Sequence, residues 1–288
     1  MSSKMAKTVS LNNLVKYSPW LDNYLKTKSI HHLKKNIYSV RREFGSQKWQ
    51  IMVEKIKDTQ PKTFYELENL FNDLNETRCY YERGEFKLGK NKHCYNKYID
   101  YLINEILPFC NDIPSICEFG AGYGSKIIPI AEKLKLDCPK YIGLELTESG
   151  QDAIINSSKS IGIDITVGHC NIVNGVLDNS LIPNDSVLFT CYAAHYEPEF
   201  NETFVDNFLS VNPRVVIHLE PVYEHFVDKT LYDYLCRLYI EYNDYTRNLL
   251  STLKSAEKRG RIKIIKEEIK VFGSNPLLPF SVINWIPN

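Results

Sequence analysis

The chain has 288 residues, 43% of them hydrophobic, and its 35 basic and 35 acidic residues give a formal net charge of zero. This length fits one α/β domain with an appendage, and a neutral chain lacks the basic excess of most duplex-binding proteins, which argues against nucleic acid as a substrate. No stretch approaches the roughly 18 apolar residues of a membrane span, and the N-terminus lacks an apolar signal core, so we expect no membrane span and a cytoplasmic protein. The eight cysteines include no C-x-x-C pair and are interpreted as buried, reduced thiols.

The first 110 residues show helical periodicity and are rich in Lys, Asn and Tyr. Helices are predicted over 47–56, 62–74 and 94–107, the last one ending before Pro108. We therefore predict an all-helical N-terminal cap over residues 1–110. Its segment 80–92 combines aromatic and charged residues around two glycines, which suits either a lid over a bound ligand or an ordinary basic loop.

Residues 116–124 combine a short apolar run, an acid and three glycines at alternate positions. A predicted helix over 125–134 follows at once. Glycine permits a tight turn and a close approach of a ligand, and the start of a helix directs free N–H groups at that ligand. The layout is therefore a strand, a turn that admits a nucleotide-like cofactor, and a helix.

From residue 114 onward, short apolar runs alternate with helical patterns, which is typical of βαβ units and a parallel sheet. The predicted strands cover 115–119, 141–146, 164–167, 186–192 and 214–220. A helical stretch over 231–258 ends before Gly260, a plausible C-cap. Two closing strands are predicted over 261–271 and 279–286.

The E-x-G-x-G-x-G pattern that begins at Glu118 resembles the first motif of class I S-adenosylmethionine-dependent methyltransferases. Five βα units followed by a β-hairpin also match the order of elements in that family. The resemblance covers about residues 114–288. It implies an α/β fold with a Rossmann-like sheet of seven strands, the last one antiparallel, in a domain over 111–288. It also implies S-adenosylmethionine (SAM) as the cofactor.

Glu145 ends the second predicted strand, where an acid can accept hydrogen bonds from both ribose hydroxyls of an adenosine, in SAM or in NAD. The alternative is a solvated carboxylate at a strand end. The family places an Asp or Asn against the adenine amino group, and Asn171 fits that position because its side chain both donates and accepts. The expected cofactor-binding residues are Glu118, Gly120, Ala121, Gly122, Gly124, Glu145, Leu146, Asn171, Thr190 and Ala193.

Three side chains are candidates for catalysis. His195 follows the fourth strand, and a histidine is a suitable base near neutral pH, although a loop histidine can also simply hold the backbone. His218 and Glu220 share one face of the fifth strand and are expected to approach the cleft. With Glu224 and His225 they could instead bind a divalent metal, or form a buried pair that orders the turn. We predict that His195 or Glu220 removes the acceptor's proton and that the site binds no metal.

The Pro-punctuated segment 272–281, Trp285, the run 218–221 and the 239–248 helix resemble sugar O-methyltransferases of bacterial surface-polysaccharide gene clusters. That resemblance implies a small-molecule acceptor, a hydroxyl of a sugar or surface-glycan precursor. A NAD-dependent Rossmann oxidoreductase or epimerase is the alternative enzyme. It requires glycine where Ser125 stands, and commonly a Tyr-x-x-x-Lys motif that the core domain lacks. A non-catalytic nucleotide-binding module is the third interpretation.

Overall fold

The structure is a computed structural model that describes residues 7–29, 33–34, 37–135, 139–172, 175–227 and 229–288. Its strands are β1 (Lys7–Val9), β2 (Thr77–Glu82), β3 (Glu85–Lys90), β4 (Ser115–Phe119), β5 (Lys140–Glu145), β6 (Thr166–Asn171), β7 (Val176–Leu177), β8 (Val187–Cys191), β9 (Val215–Glu220), β10 (Ile262–Gly273) and β11 (Phe280–Pro287).

Its α-helices are α1 (Pro19–Thr27), α2 (Ile37–Arg41), α3 (Gln50–Thr59), α4 (Phe64–Asn69), α5 (Asn91–Ile106), α6 (Ile127–Leu134), α7 (Glu148–Ile161), α8 (Thr203–Leu209), α9 (Leu231–Tyr242) and α10 (Leu249–Lys258). A π-helical segment, Arg42–Trp49, joins α2 to α3.

The described strands form one mixed sheet in the order β1-β3-β2-β10-β11-β9-β8-β4-β5-β6-β7. Strands β6, β5, β4, β8 and β9 are parallel neighbours, and β11 lies antiparallel between β9 and β10. The chain order reverses between β4 and β8, and ligands of open α/β sheets bind at such a switch point, beyond the carboxyl ends of the strands.

The prediction of seven strands for residues 111–288 is wrong, because the described part of that range forms eight, β4–β11, and the whole sheet has eleven. The N-terminal part contributes three of them, so the prediction of an all-helical cap is also wrong. Strands β2 and β3 form a hairpin whose turn residues, Arg83 and Gly84, both have positive φ angles, which suits a tight two-residue turn. Most of segment 80–92 is therefore neither a lid nor a loop but an extension of the sheet. A boundary near residue 110 stays a prediction.

Two predicted helices are shorter than expected. Residues 62–74 form only the six-residue helix α4, which begins after Thr63, whose hydroxyl accepts from the backbone N–H of Glu66. Residues 231–258 form α9 and α10 with a turn between them, because the N–H groups of Thr246 and Arg247 bond to the carbonyls of His195 and Pro198 instead of continuing a helix. This turn fixes the loop that follows β8.

The central strands β4, β8 and β9 are buried along their whole length and carry apolar layers on both faces. A rigid sheet of this kind holds the loops at its carboxyl edge in fixed positions. The seven described cysteines are free, and six of them are buried. None of the helices in the described ranges is long and apolar enough to span a membrane.

Candidate functional site

A cavity of about 470 Å³ lies at the carboxyl ends of the parallel strands. Its walls include residues 120–123 after β4, 145–147 at the end of β5, 170–172 at the end of β6 and 191–197 after β8. The N-terminal part, from Val40 to Tyr98, supplies much of the remaining wall. A concave site of this size at the switch point of an α/β sheet fits a nucleotide-sized ligand.

The glycine turn forms the floor of the cavity. Gly120 and Gly122 have φ angles of +76° and +59°, a conformation that favours glycine. A Cβ on Gly120 would lie 2.5 Å from the Cβ of Ala193, and a Cβ on Gly122 would lie 3.0 Å from the ring of Trp49. The turn therefore leaves no room for a side chain at positions 120 and 122, where backbone alone lines the cavity.

Glu118 and Gly124 belong to the same motif but do not line the cavity. Glu118 is fully buried, and its Oε2 accepts from the N–H of Ile127 at 3.0 Å, at the start of α6. Burial raises the pKa of Glu118 to about 8, against the opposing charge of Lys126. Gly124 packs against Ile128. Both residues support the turn from behind.

Glu145 lines the cavity at the tip of β5 and is only 6% exposed, so it is not a solvated strand-end carboxylate. Its Oε2 accepts from the N–H of Gly122 at 3.1 Å, and its Oε1 accepts from the hydroxyl of Thr147 at 3.0 Å. Burial raises the pKa of Glu145, and these hydrogen bonds oppose that shift. Leu146, Asn171, Ala121 and Ala193 also line the cavity, so the sheet gathers these expected cofactor residues at one edge.

Thr190 and His218 lie outside the cavity, contrary to the sequence-based expectation. The hydroxyl of Thr190 contacts Nδ1 of His218 at 2.9 Å, and the indole N–H of Trp285 donates to Nε2 of His218 at 3.0 Å. The ring packs among Phe204, Phe208 and Trp285. His218 is two residues short of the strand end, so β11 and α8 cover it, and it has no path to an acceptor.

Burial lowers the pKa of His218 to about 4 from 6.5. The unfolded chain then binds the proton more tightly than the folded chain does. The free energy of unfolding is therefore highest above pH 6.5, and it falls by about 3 kcal/mol as the pH drops toward 4. Urea unfolding of the native protein at several pH values should show this loss. In His218→Gln the free energy of unfolding should depend less steeply on pH over this range. The matched control is His93→Gln, at an exposed histidine. If the pH dependence of stability were unchanged in His218→Gln, His218 would not be buried in its neutral form.

His195 lines the cavity and is 2% exposed. Its Nδ1 lies 3.2 Å from Oε2 of Glu220. Glu220 is fully buried behind the loop, where it also accepts from the N–H groups of Ala193 at 2.9 Å and Ala194 at 3.0 Å. Burial favours a raised pKa, but the hydrogen bonds from His195 and the backbone outweigh it and lower the pKa of Glu220, which is ionised at neutral pH.

This geometry separates the two candidate bases. Glu220 is outside the cavity and its oxygens are engaged by His195 and the loop, so the expectation that it removes a proton directly from an acceptor is wrong. It positions His195 and can stabilise the imidazolium form, as a carboxylate does beside a catalytic histidine. His195 alone of the three candidates reaches the cavity.

The alternative of a metal site after β9 finds no support in the geometry. His225 contacts Ser281 at 2.7 Å and Glu267 at 3.1 Å, and Glu224 accepts from Ser251. These partners differ from those of His218. Among the residues that the structure describes, no group of three or more His, Cys, Asp or Glu could hold a metal ion.

Sequence reasoning missed Tyr98 and Tyr245 among the aromatic side chains around His195. The rings of Tyr196 and Tyr245 lie 4.2 Å and 4.6 Å from the imidazole, and Tyr192 at 5.6 Å links them to Tyr98. Tyr192 has a φ of +52°, a strained conformation for a bulky residue, and its hydroxyl donates to the carbonyl of Leu278. Burial raises the pKa of each of these tyrosines, so they are hydrogen-bond donors near neutral pH.

The unusual number of tyrosines, 19 in all, was the available signal, but it did not specify which ones meet. Other missed lining residues come from the N-terminal part and from the β10–β11 connection: Phe44, Trp49, Glu68, Arg78, Asn91, Tyr95, Ser274 and Asn275.

Comparison with known proteins identifies the fold. No family model matches the chain, and no curated protein matches it. The structure of magnesium protoporphyrin IX methyltransferase (ChlM) from Synechocystis PCC 6803 with bound SAH superposes with a TM-score of 0.55 at 13% identity, covering 88% of this chain and all of that one. The same enzyme with bound SAM gives a TM-score of 0.51 at 10% identity, covering 90% of this chain and all of that one. The chain therefore has the α/β fold of these methyltransferases.

Proposed function

We propose that the protein is a SAM-dependent methyltransferase. One observation carries the proposal: the cavity at the switch point of a methyltransferase-like sheet joins a glycine floor, a buried acid at the tip of β5, and the His195–Glu220 pair. The magnesium protoporphyrin IX methyltransferase that shares the fold was solved with SAH and with SAM, which supports the same cofactor here. The described cysteines are all free, which supports a cytoplasmic location.

The residues present fit that cofactor. The turn at Gly120 and Gly122 brings backbone without side chains to the cavity, because a Cβ at either position would collide with Ala193 or Trp49. Glu145 offers carboxylate oxygens to ribose hydroxyls, and Asn171, 2% exposed at the end of β6, offers an amide to the adenine edge. Bound SAM supplies an electrophilic methyl group, so the protein contributes mainly position, orientation and exclusion of water.

We propose an oxygen nucleophile, most specifically a hydroxyl of a sugar or surface-glycan precursor. His195 accepts the hydroxyl proton, and the ionised Glu220 stabilises the resulting imidazolium. Tyr192, Tyr196 and Tyr245 supply flat ring faces and hydroxyl groups beside His195, which suits a small ring that carries hydroxyls. A small-molecule acceptor also agrees with the concave site and with the neutral net charge.

The direct test compares the cofactors. Isothermal titration should show binding of SAM and S-adenosylhomocysteine (SAH) and none of NAD. A protein that bound NAD alone would be assigned to the oxidoreductase class. A protein that bound SAH but transferred no methyl group to any hydroxyl acceptor in a screen would support a binding module instead.

Glu145→Ala tests the ribose contact. Losing hydrogen bonds to a charged group weakens binding by about tenfold to a hundredfold, so the dissociation constant of SAH should rise by that factor. Glu148→Ala is the matched control, because this acid lies in the first turn of α7 and does not line the cavity. An affinity within about twofold of native in Glu145→Ala would show that the carboxylate serves only Gly122 and Thr147.

A further inference from the structure

One part of the cavity wall carries polar and charged side chains that the methyl-transfer chemistry above leaves unused. They come from α4, β2, the start of α5 and the residue before α6: Glu68, Arg78, Asn91 and Lys126. Glu68 is 6% exposed, and it accepts from the hydroxyl of Tyr123 at 2.7 Å and from the amide of Asn72 at 2.8 Å. Because Tyr123 belongs to the glycine turn, this carboxyl group borders the cavity floor.

Asn91, which lines this wall, carries an unsatisfied acceptor. The residue is 4% exposed, and its amide nitrogen donates to the carbonyl of Asp73 at 2.7 Å and to Glu76 at 3.3 Å. These two bonds fix the orientation of the amide. Its Oδ1 is buried and has no hydrogen-bond partner among the described residues. Buried acceptors rarely stay unpaired, so a ligand that donates a hydrogen bond would satisfy this oxygen.

Arg78 presents an unsatisfied donor at the same wall. Its Nε is buried and has no hydrogen-bond partner within the described ranges, while its terminal nitrogen lies 3.8 Å from Glu76. The planar guanidinium group matches the geometry of a carboxylate. Burial raises the pKa of Glu68, and the charges of Lys126 and Arg78 are near enough to oppose that shift. An acid and two cations thus share one wall.

This wall therefore combines an acid and two cations with an unsatisfied donor on Arg78 and an unsatisfied acceptor on Asn91, and such a combination is complementary to a zwitterion. We propose that this wall binds the α-amino-acid portion of SAM, with Arg78 and Lys126 pairing with its carboxylate and Glu68 and Asn91 accepting from its ammonium group. This inference rests on the proposed function, because it assigns the contacts of the same cofactor. It gives the N-terminal hairpin, which pairs with β10 at Phe272↔Glu82, a direct part in cofactor selection.

The experiment compares two ligands by isothermal titration. SAH carries the amino-acid portion, and 5′-methylthioadenosine keeps the adenosine and the sulfur but lacks it. Arg78→Met should weaken SAH by about tenfold to a hundredfold, as expected for loss of a charged hydrogen bond. It should change the affinity for 5′-methylthioadenosine by less than about twofold. Retained binding of this second ligand also shows that the variant is folded.

Arg83→Met is the matched control, because Arg83 lies on the same hairpin, pairs with Glu268 at 2.7 Å and does not line the cavity. It should leave both affinities unchanged. Arg78→Lys, which keeps the charge, should recover part of the lost SAH affinity and serves if the Met variant does not fold. Glu68→Gln should weaken SAH but not the analogue of SAH that lacks the amino group.

Other results would overturn the inference in distinguishable ways. Equal loss of both ligands in Arg78→Met, or no loss of SAH, would refute the role of this wall while the proposed function stands. Equal affinity of the native protein for the two ligands would also refute the role of this wall, because the amino-acid portion would then contribute nothing to binding. Binding of neither ligand by the native protein would refute the proposed function and this inference with it.

Discussion

His195→Ala should lower kcat for methyl transfer to a hydroxyl acceptor by about 10²–10⁴, the usual contribution of a general base. The affinity for SAH should barely change, because the imidazole packs among Tyr192, Tyr196 and Tyr245 and is assigned to the acceptor, not to the cofactor. Steady-state transfer of labelled methyl groups and titration with SAH measure the two quantities separately. The rate of the native enzyme should also fall at low pH, where a protonated imidazole no longer accepts a proton.

Two further variants test the assignment of His195 as the base. Glu220→Gln removes the charge beside Nδ1 and keeps an oxygen for the backbone N–H groups of Ala193 and Ala194. It should therefore lower kcat and shift the pH profile, which a purely structural role would leave in place. His93→Ala, at an exposed histidine outside the cavity, should behave as the native enzyme. Native kcat in both His195→Ala and Glu220→Gln would show that proximity alone drives transfer.

The sheet core was predictable because its signals are local. Buried parallel strands are short apolar runs between turn residues, and Ser115–Phe119 and Val215–Glu220 have that form. The hairpin β2–β3 was missed because its strands are mixed with charged residues. Its place in the sheet depends on the pairing of Glu82 and Tyr81 with the far end of β10, which spacing does not encode.

The candidate site also contains residues that local sequence signals predict and residues whose positions depend on distant contacts. The glycine turn and Glu145 follow from strand ends, so the sequence located them. His218 could not be excluded in advance, because its burial depends on Trp285, a residue 67 positions away. The proton-accepting role of Glu220 failed for a similar reason: the loop 193–195 turns its N–H groups onto the carboxylate. Alternation along a strand predicts the face of a residue but not what covers that face.

Gly122→Val should abolish measurable SAH binding, a loss of more than about a hundredfold. The residue adopts a φ of +59°, and its Cβ would already lie 3.0 Å from the ring of Trp49, so a valine would displace that ring, which lines the same cavity. Its N–H also holds Oε2 of Glu145, so a shift of this backbone would misplace the acid as well. Circular dichroism should show a retained fold, and isothermal titration with SAH measures the loss.

The matched control separates a local effect on SAH binding from a general effect of backbone strain on stability. Gly162 has a φ of +82° at the end of α7, with no atom within 4 Å of a Cβ added there. Gly162→Val therefore introduces a comparable conformational strain, about 1 kcal/mol or more, at a site away from the cavity. It should lower the melting temperature without weakening SAH. If Gly122→Val also bound SAH with native affinity, the cofactor would not lie against the 120–122 floor or the ring of Trp49.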